Sequence, residues 1–175
     1  MSSPYNLPHY CARNFKHKQL TKIFGEPNID SIVSLFREVK RNTQSVKTTL
    51  GGAQHGYLAL VLTDDAYANI SGTSPFVHPV DPGTFSPVEP KNTGVSTRAS
   101  TAETTTTLNS AEITTQKLQH DNRLCKFNEC QAIKALLQDQ IEEAIETDYL
   151  EDLRDSTTDT ITSNIPTLFD NLITS

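Results

Sequence analysis

The stretch from Gly51 to Pro79, GGAQHGYLALVLTDDAYANISGTSPFVHP, decides how this chain folds. Paired glycines open it, an apolar run over residues 55–62 follows, and prolines close it. The apolar run is too short for periodicity to separate a buried helix from a strand, although its leucines and alanine favour a helix. Thr63, which precedes two aspartates, is typical of a helix N-cap, so a second short helix is predicted through Ile70 to about Gly72.

An amphipathic helix is predicted before this stretch. Asn28 is a suitable N-cap, and Asp30 is favourable at the positive end of the helix dipole. The apolar residues after Asn28 recur at three- and four-residue steps: Ile29, Ile32, Val33, Phe36 and Val39. Gly51 and Gly52 then end this part of the chain.

The segment from Leu108 to Glu146 contains neither proline nor glycine. As one helix it would span about 58 Å, which is long for a compact domain of this size. Its apolar residues before residue 128 centre on roughly the opposite side of a helix from those after it. We therefore predict a break near Asn128, which forms a capping-box-like pair with Gln131, and separate helices over about 108–126 and 129–146.

A last amphipathic helix is predicted from about Ile165, with Pro166 in its first turn. A short turn around Tyr149 and a polar linker, 156–163, precede it. Its apolar stripe continues to the C-terminus, as expected either of a chain cut from a longer protein or of a frayed natural end.

Composition indicates that part of the chain is not packed. Apolar residues make up 35% of it, against roughly 45–50% in typical globular proteins on a wider count that includes glycine. Residues 1–27 contain three prolines and read as an extended or docked arm, and 71–105 reads as a Pro/Ser/Thr-rich loop. The predicted fold class is all-α: a compact bundle of about five to six short helices in one domain, 28–175, with an extended N-terminal arm.

Charge is distributed unevenly. Residues 1–50 carry eight Lys/Arg and three Asp/Glu, a net of +5; residues 51–100 carry two and four, a net of −2; residues 101–175 carry five and fourteen, a net of −9. Opposite charges at the two ends can be paired within one fold, between copies packed head to tail, or with a polyanion at the basic end.

The sequence favours an intracellular protein with reduced thiols. It has no run of about 18 apolar residues, and its N-terminus lacks the apolar centre of a signal peptide. The three cysteines, Cys11, Cys125 and Cys130, are odd in number and follow no disulfide framework.

No arrangement of residues predicts catalysis, a metal or a cofactor. His120, Cys125 and Cys130 have neither the number nor the spacing of zinc ligands, and two small apolar side chains in a helical core explain the cysteines better. Cys11 has His9 and His17 nearby in sequence, but a nucleophile needs a base held in fixed geometry, which an arm does not provide. We therefore expect a protein that is not an enzyme.

Two sets of residues remain as candidate sites. The segment RNFKHKQLTK, 13–22, interleaves cations with Phe15 and His17 and could contact phosphates or stack a base. Its cations are Arg13, Lys16, Lys18 and Lys22. The second set forms a structural bend or an interface after the first helix: Gly51, Gly52, His55, Gly56 and Tyr57.

Four segments together resemble the N-terminal half of Gag-like capsid proteins from copia-type LTR retrotransposons, over roughly residues 20–175. In order they are LTKIFGEPNIDSIVSLFREVKRNTQSV, TTLGGAQHGYLALVLTDDAYANI, SPFVHPVDPGTF and QAIKALLQDQIEEAIETDYLEDLRDSTTDTITSNIPTLFDNLITS. The most specific pieces are GG-x-x-HGYLALV with TDDAY, and the block from YLEDLRD to LFDNL. Such proteins normally continue into a second helical domain and often a zinc knuckle, which this sequence lacks, and this favours a piece of a longer protein.

The resemblance implies a helical capsid protomer that associates with itself into a cytoplasmic virus-like shell around retrotransposon RNA. The RNA contacts would come from segments outside this chain, and no catalytic residue, membrane contact or small-molecule substrate is implied. Two other functions remain open beside it. One is a nucleic-acid-binding module that uses the basic segment 13–22. The other is a monomeric, domesticated or truncated Gag fragment that acts as a protein-interaction domain.

Overall fold

A computed structural model describes residues 13–51, 53–72, 75–88, 109–161 and 163–174. Within these ranges the chain is mostly helical and contains no sheet. Four α-helices are present there, together with four single turns of 3₁₀ helix. The all-α prediction is confirmed, whereas the predicted five to six short helices are replaced by fewer α-helices, one of them very long.

Helix α1, Ile29–Ser45, begins where the cap residues predict. The Asn28 side chain accepts a hydrogen bond from the Ser31 amide at 2.9 Å, and the Ser31 hydroxyl accepts one from the Asn28 amide at 3.1 Å. This reciprocal pair satisfies two amides that the first turn leaves without helical partners. The inward face of α1 buries Ile32, Leu35 and Val39.

Between Gly51 and Thr63 the described chain is helical only in two single turns, of which the second lies within the apolar run 55–62. The turns Ala53–His55 and Leu58–Leu60 are 3₁₀ helix, and α2, Asp64–Ser71, follows. The Thr63 side chain accepts a hydrogen bond from the Ala66 amide, and α2 ends at Gly72, so the predicted second helix is confirmed.

Helix α3, Ser110–Ala144, corrects the predicted break near Asn128. It runs unbroken for 35 residues, or about 52 Å, and it is capped at Asn109 by a reciprocal pair with Glu112. Asn128 and Gln131 cap nothing, because both lie inside this helix.

The break was predicted on the assumption that both halves of this segment bury an apolar face in the same core. In the structure the buried residues of α3 all lie in its C-terminal half: Cys130, Ile133, Leu137, Ile141 and Ala144. The N-terminal half extends beyond the core, and Leu118 is 69% exposed there. Since that half does not enter the core, its apolar residues need not share a face with those that do.

Beyond α3 the chain turns back along the core. Two 3₁₀ turns, Thr147–Tyr149 and Glu151–Leu153, hold the fully buried Leu150 between them. Helix α4, Ile165–Thr174, then forms as predicted, with the Asn164 side chain accepting a hydrogen bond from the Thr167 amide.

The core lies between α1, α4 and the C-terminal half of α3. The rings of Phe36 and Phe169 join α1 to α4 at a centroid distance of 4.5 Å. Burial of each large apolar side chain in this core stabilises the fold by about 1.5–3 kcal/mol.

The described part of the arm, 13–27, lies against this core. Phe15, Leu20 and Ile23 are buried in it. The Ile23 amide donates to the carbonyl of Ala144 at 2.7 Å, and Ile23 forms an isolated parallel bridge with Ile145. The chain before residue 13 lies outside the described residues.

Candidate functional site

The bend after α1 is tightly packed at Gly51 and Gly56, and Gly56 and Tyr57 are buried. Gly56 has φ +56°, and a methyl group there would lie 2.5 Å from the carbonyl oxygen of Val46 and 2.7 Å from that of Thr43. Gly51 has φ +102°, and a methyl group there would lie 2.1 Å from the carbonyl oxygen of Pro75. Both positions require glycine because of left-handed φ and because backbone comes so close. His55 is half-buried, and Gly52 lies outside the described residues.

Tyr57 anchors the bend in the core. Its side chain is 1% exposed, its amide donates to the Thr43 carbonyl at 3.1 Å, and its ring packs edge-on against Phe76. Burial raises the pKa of Tyr57, the hydrogen bond with Thr48 opposes this, and Glu129 raises the pKa further. Gly56 and Tyr57 are therefore placed to set the angle between α1 and α2, and neither is presented to a partner.

The basic segment 13–22 presents its cations to solvent. Arg13, Lys16, Lys18 and Lys22 are all exposed, and the Lys18 ammonium donates to the carbonyl of Arg13. Phe15, which the sequence offered as a stacking ring, is only 3% exposed and belongs to the core. The segment can therefore contact phosphates through its cations, but it presents no Phe15 ring to a base.

A buried polar network holds this segment in place. Asn42, 0% exposed, accepts a hydrogen bond from the His17 amide at 2.7 Å and donates to both the His17 carbonyl and the Gln140 side chain. Gln140 in turn donates to the Lys18 carbonyl at 3.0 Å. We did not predict this network from the sequence, although an asparagine that continues the stripe of Leu35 and Val39 is the signal that could have found it.

A second attachment lies at Thr21. Its amide and its hydroxyl both donate to the Glu38 carboxylate, at 2.8 and 2.7 Å. Partial burial raises the pKa of Glu38, but these hydrogen bonds and the nearby His17 and Arg41 lower it more, so the net shift is downward.

The proline-rich segment 75–88 packs along the N-terminal half of α3. The Gln116 side chain exchanges two hydrogen bonds with the backbone of Val88, each 2.9 Å long. The His120 ring nitrogen Nε2 contacts the Gly83 carbonyl at 3.0 Å, and its ring packs against Phe85. As predicted, 75–88 contains no helix or strand. Of the rest of the predicted loop 71–105, Ser71 belongs to α2, and residues 73–74 and 89–105 lie outside the described residues.

An open cleft of about 1080 Å³ separates this segment from α3. Arg123, Lys126 and His78 line it together with prolines and valines.

The cysteines of α3 lie in different environments. Cys125 is exposed and Cys130 is buried. Burial raises the pKa of the Cys130 thiol to about 11, with Lys134 opposing and Glu129 adding to the shift. Within the described ranges no three His, Cys, Asp or Glu side chains cluster as metal ligands would. Cys11 and His9 lie outside those ranges.

Large apolar side chains are exposed where α1 begins and α4 ends. Ile29 is 64% exposed and Ile173 is 42% exposed, and both line a groove of about 600 Å³ with Pro27 and Leu172. Phe24, shortly before this groove in sequence, is 81% exposed. Exposed apolar side chains gathered in one place are typical of an interaction surface.

No protein-family model, curated protein or solved structure matches this chain. Among the described helices, α3 is long enough to cross a membrane, but none has a sufficiently apolar span to do so.

Proposed function

We propose that this chain is a structural, self-associating protomer of the Gag-like capsid type, which forms a cytoplasmic virus-like shell around retrotransposon RNA. The segments that carry the resemblance support this, because they form the framework of the fold. HGYLALV lies in the buried stretch after α1, TDDAY opens α2, and LFDNL lies in α4, where its Phe169 packs on Phe36 of α1.

The observation that carries self-association is the apolar groove between the start of α1 and the end of α4. Covering a side chain such as Ile29 or Ile173 contributes up to about 1.5–3 kcal/mol. A shell subunit makes many contacts of modest strength, and a small groove of this kind suits one of them.

Sedimentation velocity from low to high micromolar concentration, at two salt concentrations, tests the proposal. We expect concentration-dependent oligomers, and negative-stain images of the fast species should show closed particles. Dispersal by salt would indicate head-to-tail pairing of the basic and acidic ends. A strict monomer would refute self-association and favour the monomeric interaction domain.

A matched pair of variants tests whether the groove is a contact between protomers. Ile29→Asp places a carboxylate in the first turn of α1, where the helix dipole tolerates it, so folding should be unaffected and association weakened. Val80→Asp is the control, because Val80 is 82% exposed and does not line the groove. Equal effects of the two changes would exclude the groove as the contact.

The exposed cations of 13–22 favour nucleic-acid binding as the second candidate function. Reversing the charges of Lys16, Lys18 and Lys22 should weaken binding to single-stranded RNA. It should also reduce the slope of log K against log salt by roughly 2, at about 0.7 per phosphate contact. An unchanged slope would remove this segment from the RNA contact.

A further inference from the structure

We propose that the N-terminal half of α3 pairs antiparallel with the same segment of a second copy of this chain, across a two-fold axis near Leu118. This inference rests on the proposed function, since it names one of the contacts by which the protomer associates with itself.

Along one face of this half-helix, residues are exposed in the part of the chain that the structure describes. Ala111, Leu118 and Cys125 lie seven residues apart and are all exposed. At about 100° per residue, a seven-residue step falls roughly 20° short of two turns, so the three side chains form one stripe. Thr114 and Asn122 beside the stripe are exposed as well.

The proline-rich segment covers a different face. Its partners on α3 are Gln116 and His120, which lie about 160° from Leu118 around the helix axis. The stripe is therefore available to a partner while that segment stays in place.

Charge complementarity indicates that the partner is a second copy. Lys117 and Asp121 are both exposed and lie on the same side of the stripe, about 100° and 60° from Leu118. In an antiparallel pair the same sides face each other. Each lysine then lies opposite the partner's aspartate, about 3 Å away along the axis, and the two-fold axis forms this ion pair twice.

The same charges determine the direction of the pair. In a parallel pair the side with Lys117 and Asp121 would face the opposite side of the partner, where Thr115 and Asn122 are uncharged. The charged residues of that side, Glu112 and Lys126, would lie about 7.5 Å along the axis from Lys117 and Asp121, so the ion pairs would be weaker than in the antiparallel pair. The Asp121 carboxylate is 3.6 Å from the His120 Nδ1 atom, yet its side chain remains 57% exposed and can reach a partner.

A disulfide test reports the geometry directly. With Leu118 at the axis, Ala111 of one copy lies level with Cys125 of the other, because the two residues are equally far from Leu118. In a Cys11→Ser background, Ala111→Cys should therefore give a disulfide-linked dimer on mild oxidation. The same protein with Cys125→Ser should give none, since the two introduced cysteines would lie about 21 Å apart, far beyond disulfide reach.

Charge exchange gives an independent readout. Lys117→Asp and Asp121→Lys should each weaken association about tenfold in sedimentation velocity, and the double variant should restore it. Lys117 and Asp121 are both exposed, so circular dichroism and melting should show unchanged folds for these charge variants.

The outcomes separate this inference from the proposed function. Association without the Ala111→Cys disulfide and without charge rescue would overturn the α3 pairing and leave a self-associating protomer. A dimer linked through Cys125 alone in the Cys11→Ser background would show a parallel pair and would also overturn it. A chain that stays monomeric at every concentration would overturn both.

Discussion

Comparing alanine substitutions at Gly56 and Gly72 tests why the bend after α1 requires glycine at residue 56. Both have φ +56°. A methyl group at Gly56 would meet two backbone carbonyl oxygens closer than 3 Å, whereas one at Gly72 would find nothing within 4 Å. Alanine at either position carries the strain of left-handed φ, but only at Gly56 does it also force backbone apart.

The expected free energies of unfolding follow from these two contributions. Left-handed φ costs a non-glycine residue about 1–2 kcal/mol, and the lower conformational entropy of unfolded alanine offsets about 0.4–1 kcal/mol of it. Overpacking adds about 1–3 kcal/mol. Gly72→Ala should therefore cost about 1 kcal/mol and Gly56→Ala about 3 kcal/mol. At roughly 2–4 °C per kcal/mol for a chain of this size, melting should fall by about 2–4 °C and 6–12 °C respectively.

Thermal melting by circular dichroism, with urea unfolding as a second measurement, tests the difference. The two glycines share φ, and the ψ of −127° at Gly72 makes its backbone at least as unfavourable for alanine as the left-handed helical region. A larger loss at Gly56 than at Gly72 therefore reports the clash with the Val46 and Thr43 carbonyls. Equal losses would refute the argument that close backbone packing, rather than φ alone, requires glycine at residue 56.

Three further predictions concern the arm and the thiols. Asn42→Leu leaves the His17 amide without its buried acceptor, so the free energy of unfolding should fall by about 2–4 kcal/mol. Amide hydrogen exchange should become faster over residues 15–23, and unchanged exchange would contradict the role of the network. Glu38 has a lowered pKa in the fold, so its stabilisation is complete above its unfolded pKa of about 4.3 and is lost as pH falls through the folded value. Glu38→Gln should thus be less stable than the parent at pH 6, by under about 1 kcal/mol because water screens the half-buried carboxylate. The difference should shrink as pH falls through the folded pKa of Glu38, and a difference that widens in acid would reverse the assigned sign. In a Cys11→Ser background, Ellman's reagent at pH 8 should react with one thiol, Cys125, in the native protein and with two thiols after unfolding. The reason is that burial protects Cys130 and raises its thiol pKa to about 11. Two rapidly reacting thiols in the native protein would place Cys130 at the surface.

Local chemistry made the helix starts predictable. Asn28 and Thr63 cap their helices through hydrogen bonds to residues three positions ahead, so a short window of sequence contains both partners. Pro166 likewise lies in the first turn of α4, where its missing amide proton removes no helical hydrogen bond.

The length of α3 was not predictable in the same way, because it depends on where the core ends. The apolar residues on the two sides of Asn128 do face different directions, and that conflict suggested two helices. In the structure the first half of the helix lies outside the core, so the two sets of apolar residues need not face the same way. The sequence around Asn128 does not reveal which half meets the core, because that depends on tertiary packing. The capping pair at Asn109 and Glu112 was present in the sequence and marks the start correctly.

The candidate sites were likewise predictable only where local sequence, rather than tertiary packing, decides exposure. The exposure of Lys16 and Lys22 follows from their charge. The burial of Phe15 between such cations does not, because it depends on the arm meeting α1 and α3. The groove at Ile29 and Ile173 joins two helix ends far apart in sequence, and no local pattern could have brought them together.

The attachment of the arm also sets an order of events during synthesis. Gln140 and the His17 carbonyl are separated by 123 positions in the chain. At roughly 5–20 residues per second, a ribosome needs about 6–25 s to add that much polypeptide. Throughout that time the arm, which carries Phe15, Leu20 and Ile23, lacks its contacts with α3. Residues made long before α3 are thus among the last to reach their native contacts, and a chaperone that binds short apolar segments would find them on the nascent chain.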